Sequence, residues 1–213
     1  MERIICLIIG YAFGLFQTAY IYGKAHGVDI RQMGSGNAGT TNTLRVFGTK
    51  AGLIVFFGDV LKCAAAVTVV RFLYGSSEIS YLLMIYAGAG AILGHNFPFY
   101  MHFRGGKGIA ATAGLILALH PAFIPVGIVL FFTAFFTTHY VSLGSLLVYA
   151  GFLIELIVLG QTGVFGMSQG ALYEMYAVGV FLTAMAYIKH RANIVRLLKG
   201  EERRTYLSKK SEL

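Results

Sequence analysis

Charge is scarce in this chain. Only 12% of its 213 residues are Asp, Glu, Lys or Arg, while 57% are hydrophobic, and with a mean hydropathy of +0.71 this is far outside the range of a soluble domain of that length. There are only two cysteines. Cys6 and Cys63 both sit inside apolar runs, which excludes a disulfide framework, gives no metal-binding pattern and leaves buried thiols. Arginines interleaved with base-stacking aromatics are missing from the polar segments, so the formal +8 charge points to lipid headgroups or anionic substrates and not to nucleic acid. No internal repeat is visible. The first apolar run, 4–22, is too long for a secretory h-region and is followed by a polar loop without a cleavage site, so it is expected to remain as a span.

What is present in abundance is apolar sequence in discrete blocks: 4–22, 51–73, 80–93, 109–119, 122–138, 141–159 and 172–188. Glycine, proline or charge separates them. The expected fold is therefore an all-α polytopic membrane protein with about seven transmembrane helices, some short or partial. The block 109–119 would cover only about 16 Å of a core about 30 Å thick, and Pro121 and Pro125 are expected to bend the chain into the next span. If the polar segments alternate sides, one side receives most of the basic residues, and the other receives Arg3 and Arg71. The positive-inside bias then puts the N-terminus outside and the C-terminus in the cytoplasm. A five-span arrangement with re-entrant central runs leaves the same segments on the same side. A single domain, 1–213, is expected, with 196–213 as a basic cytoplasmic tail that includes Arg203, Arg204, Lys209 and Lys210.

Three groups of residues on the basic side carry chemistry. Residues 29–45, DIRQMGSGNAGTTNTLR, read as an anion cradle. Gly34, Gly36 and Gly39 are expected to take positive φ and let backbone N–H groups converge. Ser35, Asn37, Thr40, Thr41 and Asn42 add neutral hydrogen-bonding groups, and Arg45 adds a planar fork suited to phosphate. Residues 94–108, GHNFPFYMHFRGGKG, place Arg104 and Lys107 around Gly105 and Gly106 just before a helix N-terminus, which favours anions. This is not a nucleotide P-loop, because Gly108 follows Lys107 and Met101 occupies the position of the first glycine. The third group is split between 140–145, YVSLGS, and 189–202, KHRANIVRLLKGEE. On a helix His190, Asn193 and Arg196 share one face. Asp59 and Lys62, three apart within an apolar block, are expected to neutralise each other between helices.

Taken together, GSGNAGTTN with Arg45, GHNFP with FRGGKG, YVSLGS and KHRANIVRLLKGEE resemble, in order and over nearly the whole chain, the signature motifs of the bacterial membrane glycerol-3-phosphate acyltransferases that use acyl phosphate, the PlsY family. The resemblance implies transfer of a fatty acyl group from acyl phosphate to the 1-hydroxyl of glycerol 3-phosphate, giving lysophosphatidic acid and inorganic phosphate. It also implies a bacterial inner-membrane location with a cytoplasmic active site, and no metal, cofactor or nucleic-acid partner. A monomer in membrane lipid is expected. By position, His190, Lys107 and Arg45 form the catalytic set. Ser35, Gly36, Asn37, Gly39, Thr41 and Asn42 fall to the acyl phosphate, and Arg45, Lys107, Ser142, His190 and Asn193 to glycerol 3-phosphate, with the reverse assignment equally compatible with the residue types. His95, Asn96, Arg104, Gly105, Gly106, Ser145 and Glu202 complete the motifs. Soluble-type glycerolipid acyltransferases resemble one another in an H-x4-D pair, and no histidine here is followed by aspartate five residues on. Acyl phosphate is already activated, so a phosphate oxygen can accept the hydroxyl proton while His190 orients substrate. An organophosphate transporter is the alternative, and it would need a cationic site at mid-membrane and repeat symmetry.

Overall fold

The computed structural model describes residues 1–206, so Lys209 and Lys210 lie outside the described residues. The chain is all helical there: α1 (Glu2–Gly14), α2 (Thr18–Ala25), α3 (Thr40–Phe47), α4 (Thr49–Tyr74), α5 (Ser80–Asn96), α6 (Ile109–Leu119), α7 (Phe123–Thr138), α8 (Val141–Gln161), α9 (Gln169–Lys189) and α10 (Arg191–Lys199), with short 3-10 turns at Ile30–Gln32 and Phe99–Met101. The segments Glu2–Ala25, Thr49–Tyr74, Ser80–Met101, Val141–Gln161 and Gln169–Lys189 are long and apolar enough to cross a membrane, whereas α6 and α7 are shorter apolar helices. The block expected to be partial, 109–119, is α6 residue for residue. Large apolar side chains remain on the outer surface, among them Phe72, Leu61, Phe136 and Ile154, as lipid-facing surface requires.

The first apolar block lies, as expected, in one segment long enough to span, Glu2–Ala25, but its helix is interrupted. It breaks between α1 and α2, and Gln17 is the reason. This buried side chain donates from Nε2 to the carbonyls of Gly14 and Gly94, each at 3.0 Å, and of His95 at 3.2 Å. The break also frees the Phe16 carbonyl, which accepts from Lys62 Nζ at 2.6 Å. Backbone opened at membrane depth is tolerated because each exposed carbonyl finds a donor.

Small residues set the helix spacing. Gly10 and Gly14 of α1 face Ala87, Gly90, Ala91 and Gly94 of α5 so closely that a Cβ on any of these glycines would run into the partner backbone. Both helices carry a G-x-x-x-G spacing, which lets backbones approach and gain dispersion contacts where lipid supplies no hydrophobic drive. Gly114 does the same for α6 against Val60 and Cys63 of α4. At the far end of α6, Arg71 Nη2 donates to the Ala118 and Leu119 carbonyls at 2.8 Å each, and these are orphan acceptors of a helix C-terminus. Arg3, the other basic residue expected on that side, makes a two-pronged ion pair with Glu174 at 2.5 and 2.8 Å.

Candidate active site

At the end of the bundle opposite Arg3 and Arg71, all the sequence groups meet in one cavity of about 490 Å³. Its wall is built from helix beginnings. Thr40 and Thr41 open α3, Ile109 and Ala110 open α6, Val141 and Ser142 open α8, and Arg191 and Ala192 open α10, and all of them line it. The first N–H groups of a helix have no partner within it, and its dipole favours negative charge there. Six basic side chains (Arg45, Lys107, Lys189, Arg191, Arg196 and Arg203) line the cavity against two acidic ones, Asp59 and Glu202. Positive side chains therefore outnumber negative ones in the lining.

The 29–45 loop is shaped by its own side chains. Gly34 and Gly36 take φ of +58° and +71°, the left-handed region that glycine adopts without cost. Gly39 departs from expectation: its φ is −158°, an extended conformation open to any residue, and a Cβ there would meet Asn37 Nδ2 at 2.9 Å. Asn42, expected to bind ligand, instead staples the loop. Its Oδ1 accepts from Ser35 N at 2.8 Å, and its Nδ2 donates to the Ile30 and Met33 carbonyls at 3.1 and 2.9 Å. Both amide hydrogens are thereby consumed, leaving Ser35, Gly36, Asn37 and Thr41 as the part of the loop lining the cavity with free capacity. Outside the cavity, Asp29 accepts from Arg31 Nε and Nη2 at 3.0 and 2.7 Å, which holds its carboxyl down at about 2.

Lys107 and Arg104 separate. Lys107 is half-buried in the cavity and donates to Asn193 Oδ1, whereas Arg104 is exposed and does not line it. Burial pushes Lys107 down to about 8, with Glu202 opposing and Arg196 and Arg45 adding to the fall. Burial also lowers Arg45, followed by repulsion from Arg203. Cations crowded together in this way gain from an incoming anion. Gly105 and Gly106 contribute by packing and not by flexibility, because neither has positive φ. Their N–H groups bond the Asn96 and His95 carbonyls at 3.2 and 3.1 Å, and a Cβ on either would strike His95. Asn96 is fully buried and outside the cavity lining.

His190 sits between α9 and α10. Its Nδ1 bonds the Ala186 carbonyl at 2.8 Å, so Nδ1 carries the hydrogen and Nε2 is left as an acceptor. Burial, and then Lys107, push its pKa down to about 4, so it is a neutral acceptor at physiological pH. Asn193 donates from Nδ2 to Glu202 Oε1 at 2.7 Å, and Arg196 Nε pairs with Glu202 Oε2 at 2.8 Å. Glu202 thus orients Asn193, which in turn holds Lys107. Ser145 returns its hydroxyl to the Val141 carbonyl at 2.7 Å. Three buried polar atoms of cavity residues have no partner: Thr40 Oγ1, Arg45 Nε and Ser142 Oγ. Buried polar groups are nearly always paired in native proteins, so these three are open to a ligand or to water.

Asp59 and Lys62 do pair, at 2.8 Å, and His95 joins them. The Lys62 ammonium meets Asp59, the Phe16 carbonyl and His95 Nδ1 at 2.9 Å, which satisfies all three of its donors. Asp59 and His95 both line the cavity, so this buried cluster forms its floor. The helix break at Gln17 delivers the Phe16 carbonyl to this cluster, and nothing local in the apolar run signals it. Among the described residues no group of three His, Cys, Asp or Glu side chains is placed to hold a metal ion.

A family model for glycerol-3-phosphate acyltransferase matches residues 4–200. A glycerol-3-phosphate acyltransferase of Mycoplasmopsis synoviae (strain 53) is 37% identical over 97% of this chain and 96% of its own length, and one of Clostridioides difficile (strain 630) is 39% identical over 94% of each. The crystal structure of PlsY, an integral membrane glycerol 3-phosphate acyltransferase, in its glycerol 3-phosphate form, superposes with a TM-score of 0.81 at 30% identity, covering 97% of this chain and 96% of that one. Its lysophosphatidic acid form gives 0.80 at 29% identity, covering 97% of both chains. The family model, sequence identity along nearly the whole length and the fold all agree: the chain belongs to the glycerol-3-phosphate acyltransferase family.

Proposed function

We propose that the protein transfers a fatty acyl group from acyl phosphate directly to the 1-hydroxyl of glycerol 3-phosphate, releasing lysophosphatidic acid and inorganic phosphate. The observation that carries this reading is the single cavity in which four helix N-termini and six basic side chains converge. Two substrates that each bear a phosphate repel one another, and only such a concentration of donors can hold both.

In this reading the loop 35–39 and the beginning of α3 hold the acyl phosphate, while Arg45, Lys107, Ser142, His190 and Asn193 hold glycerol 3-phosphate. His190 Nε2 accepts from a glycerol hydroxyl and fixes the alcohol's orientation. The 1-oxygen attacks the acyl carbon, the bond between that carbon and the phosphate oxygen breaks, and the hydroxyl proton passes to the departing phosphate. A phosphate oxygen, with a second pKa near 6, binds that proton more favourably than an imidazole pushed down to about 4, by roughly 2–3 kcal/mol. Cys6 and Cys63 are buried, and neither lines the cavity, which supports transfer without an acyl-enzyme.

The cavity is built within one copy of the chain, which supports action as a monomer in membrane lipid. The basic residues gathered at the cavity end support a cytoplasmic site in a bacterial inner membrane, with the N-terminus outside. Initial-rate kinetics test the direct transfer. Varying both substrates should give intersecting double-reciprocal lines, whereas parallel lines, the mark of a ping-pong acyl-enzyme, would contradict it.

A further inference from the structure

The chain beyond residue 200 lies past the residues matched by the family model, and it is built into the cavity. Gly200, at φ +71°, ends α10 in the left-handed conformation, and Glu201 N closes the turn on the Arg196 carbonyl at 2.8 Å. The chain then runs back along the cavity. Glu202 and Thr205 are only 8% and 2% exposed. Glu202 takes hydrogen bonds from Asn193 and Arg196. Thr205 accepts from Arg45 Nη2 at 2.9 Å, and its own N–H donates to the His139 carbonyl, also at 2.9 Å. Tyr206 packs on the His139 ring with centroids 4.7 Å apart. The segment is therefore fastened at three places: the end of α10, the α7–α8 turn and Arg45 of α3.

We propose that residues 200–206 are a docked strap that completes the glycerol 3-phosphate site, with Thr205 as the positioning residue for Arg45. The proposal rests on the assignment of Arg45 to that substrate. A guanidinium on a long stem loses much rotamer freedom when it binds, and a neighbour that holds it beforehand removes part of that cost. Thr205 takes Nη2 and leaves Nε, buried and without a partner, for the phosphate in the cavity that Arg45 lines. Without Thr205, Arg45 is repelled by Arg203 and Arg196, with only Glu202 drawing it inward. The strap also reaches Lys107 through Glu202 and Asn193, so one segment sets the placement of both cations.

The test uses the full chain in lipid with Thr205→Val, which keeps the shape and removes the acceptor, and Thr205→Ser, which keeps the acceptor. Thr205→Ala serves as a second removal. Glycerol 3-phosphate KM and kcat are measured with acyl phosphate, and its Kd by calorimetry without a donor. Removal of the acceptor should raise KM and Kd for glycerol 3-phosphate together by about tenfold, with kcat within about twofold and the donor KM unchanged. Thr205→Ser should stay near wild type. An unchanged Kd in Thr205→Val, a Thr205→Ser variant as impaired as Thr205→Val, or loss of folding in both removal variants would each overturn the proposal. If the wild type made no product from acyl phosphate, the donor reading would fall while the Kd comparison still judged the strap.

Discussion

Lys107 shows how one residue's surroundings become a measurable property. With its ammonium pushed down to about 8, the free enzyme holds it charged below that pH and increasingly neutral above. A charge-assisted hydrogen bond to phosphate contributes about 1.5–3 kcal/mol, so kcat/KM for glycerol 3-phosphate should fall at least tenfold between about pH 7.5 and 9.5. Lys107→Arg should abolish that limb, because arginine stays protonated throughout. A wild-type profile flat to pH 10 would contradict the burial assigned to Lys107. His190 gives the complementary case. As a neutral acceptor that orients the alcohol, its replacement in His190→Gln should raise KM and lower kcat by less than about 30-fold. A loss of about 10³-fold in kcat at unchanged KM would make it the base. The residue types at these positions were readable from sequence because phosphate recognition uses few groups: a guanidinium, an ammonium and small donors between glycines. Their division of labour was not. Asn42 and Asn193 are the same side chain, yet Asn42 is consumed by its own loop while Asn193 holds Lys107. Arg104 and Lys107 are three residues apart, and only one enters the cavity.

At the scale of elements, close helix packing is written in glycine. A Cβ on Gly90 would run into the Leu7 carbonyl and meet Tyr11 N at 2.8 Å, and these backbone atoms move only if α1 and α5 separate. Gly170, near the start of α9, has open space around it. Glycine to alanine inside a helix ordinarily gains about 0.5–1 kcal/mol, so Gly170→Ala should be neutral or slightly stabilising. Gly90→Ala should instead cost about 1–3 kcal/mol and lower the thermal midpoint in detergent. Equal midpoints would show that the interface is looser than described. The apolar blocks located the spans because the bilayer demands length and hydropathy, and α6 matched its block fully. The break before α2 was hidden, since a continuous run such as 4–22 gives no local sign that Gln17 will leave its own helix to bond Gly94 and His95, far away in sequence.

At the scale of the molecule, charge and helix direction agree. The basic residues gather at one end, and α3, α6, α8 and α10 all present their N-termini there, so fixed dipoles and mobile side chains act with the same sign. The opposite end carries Arg3 and Arg71, both spent on fastening helices. The asymmetry was legible because it is a sum over loops. The strap at 200–206 was not, and its basic residues read as tail, because Thr205 meets Arg45 across 160 positions of sequence. One measurement bears most directly on the whole arrangement: purified protein in lipid, supplied with glycerol 3-phosphate and, in separate reactions, with acyl phosphate, acyl-CoA or acyl carrier protein as donor. The expected result is lysophosphatidic acid and inorganic phosphate in equal amounts from acyl phosphate alone. Folded protein that makes lysophosphatidic acid from a thioester donor, and none from acyl phosphate, would contradict a cavity built for two phosphates.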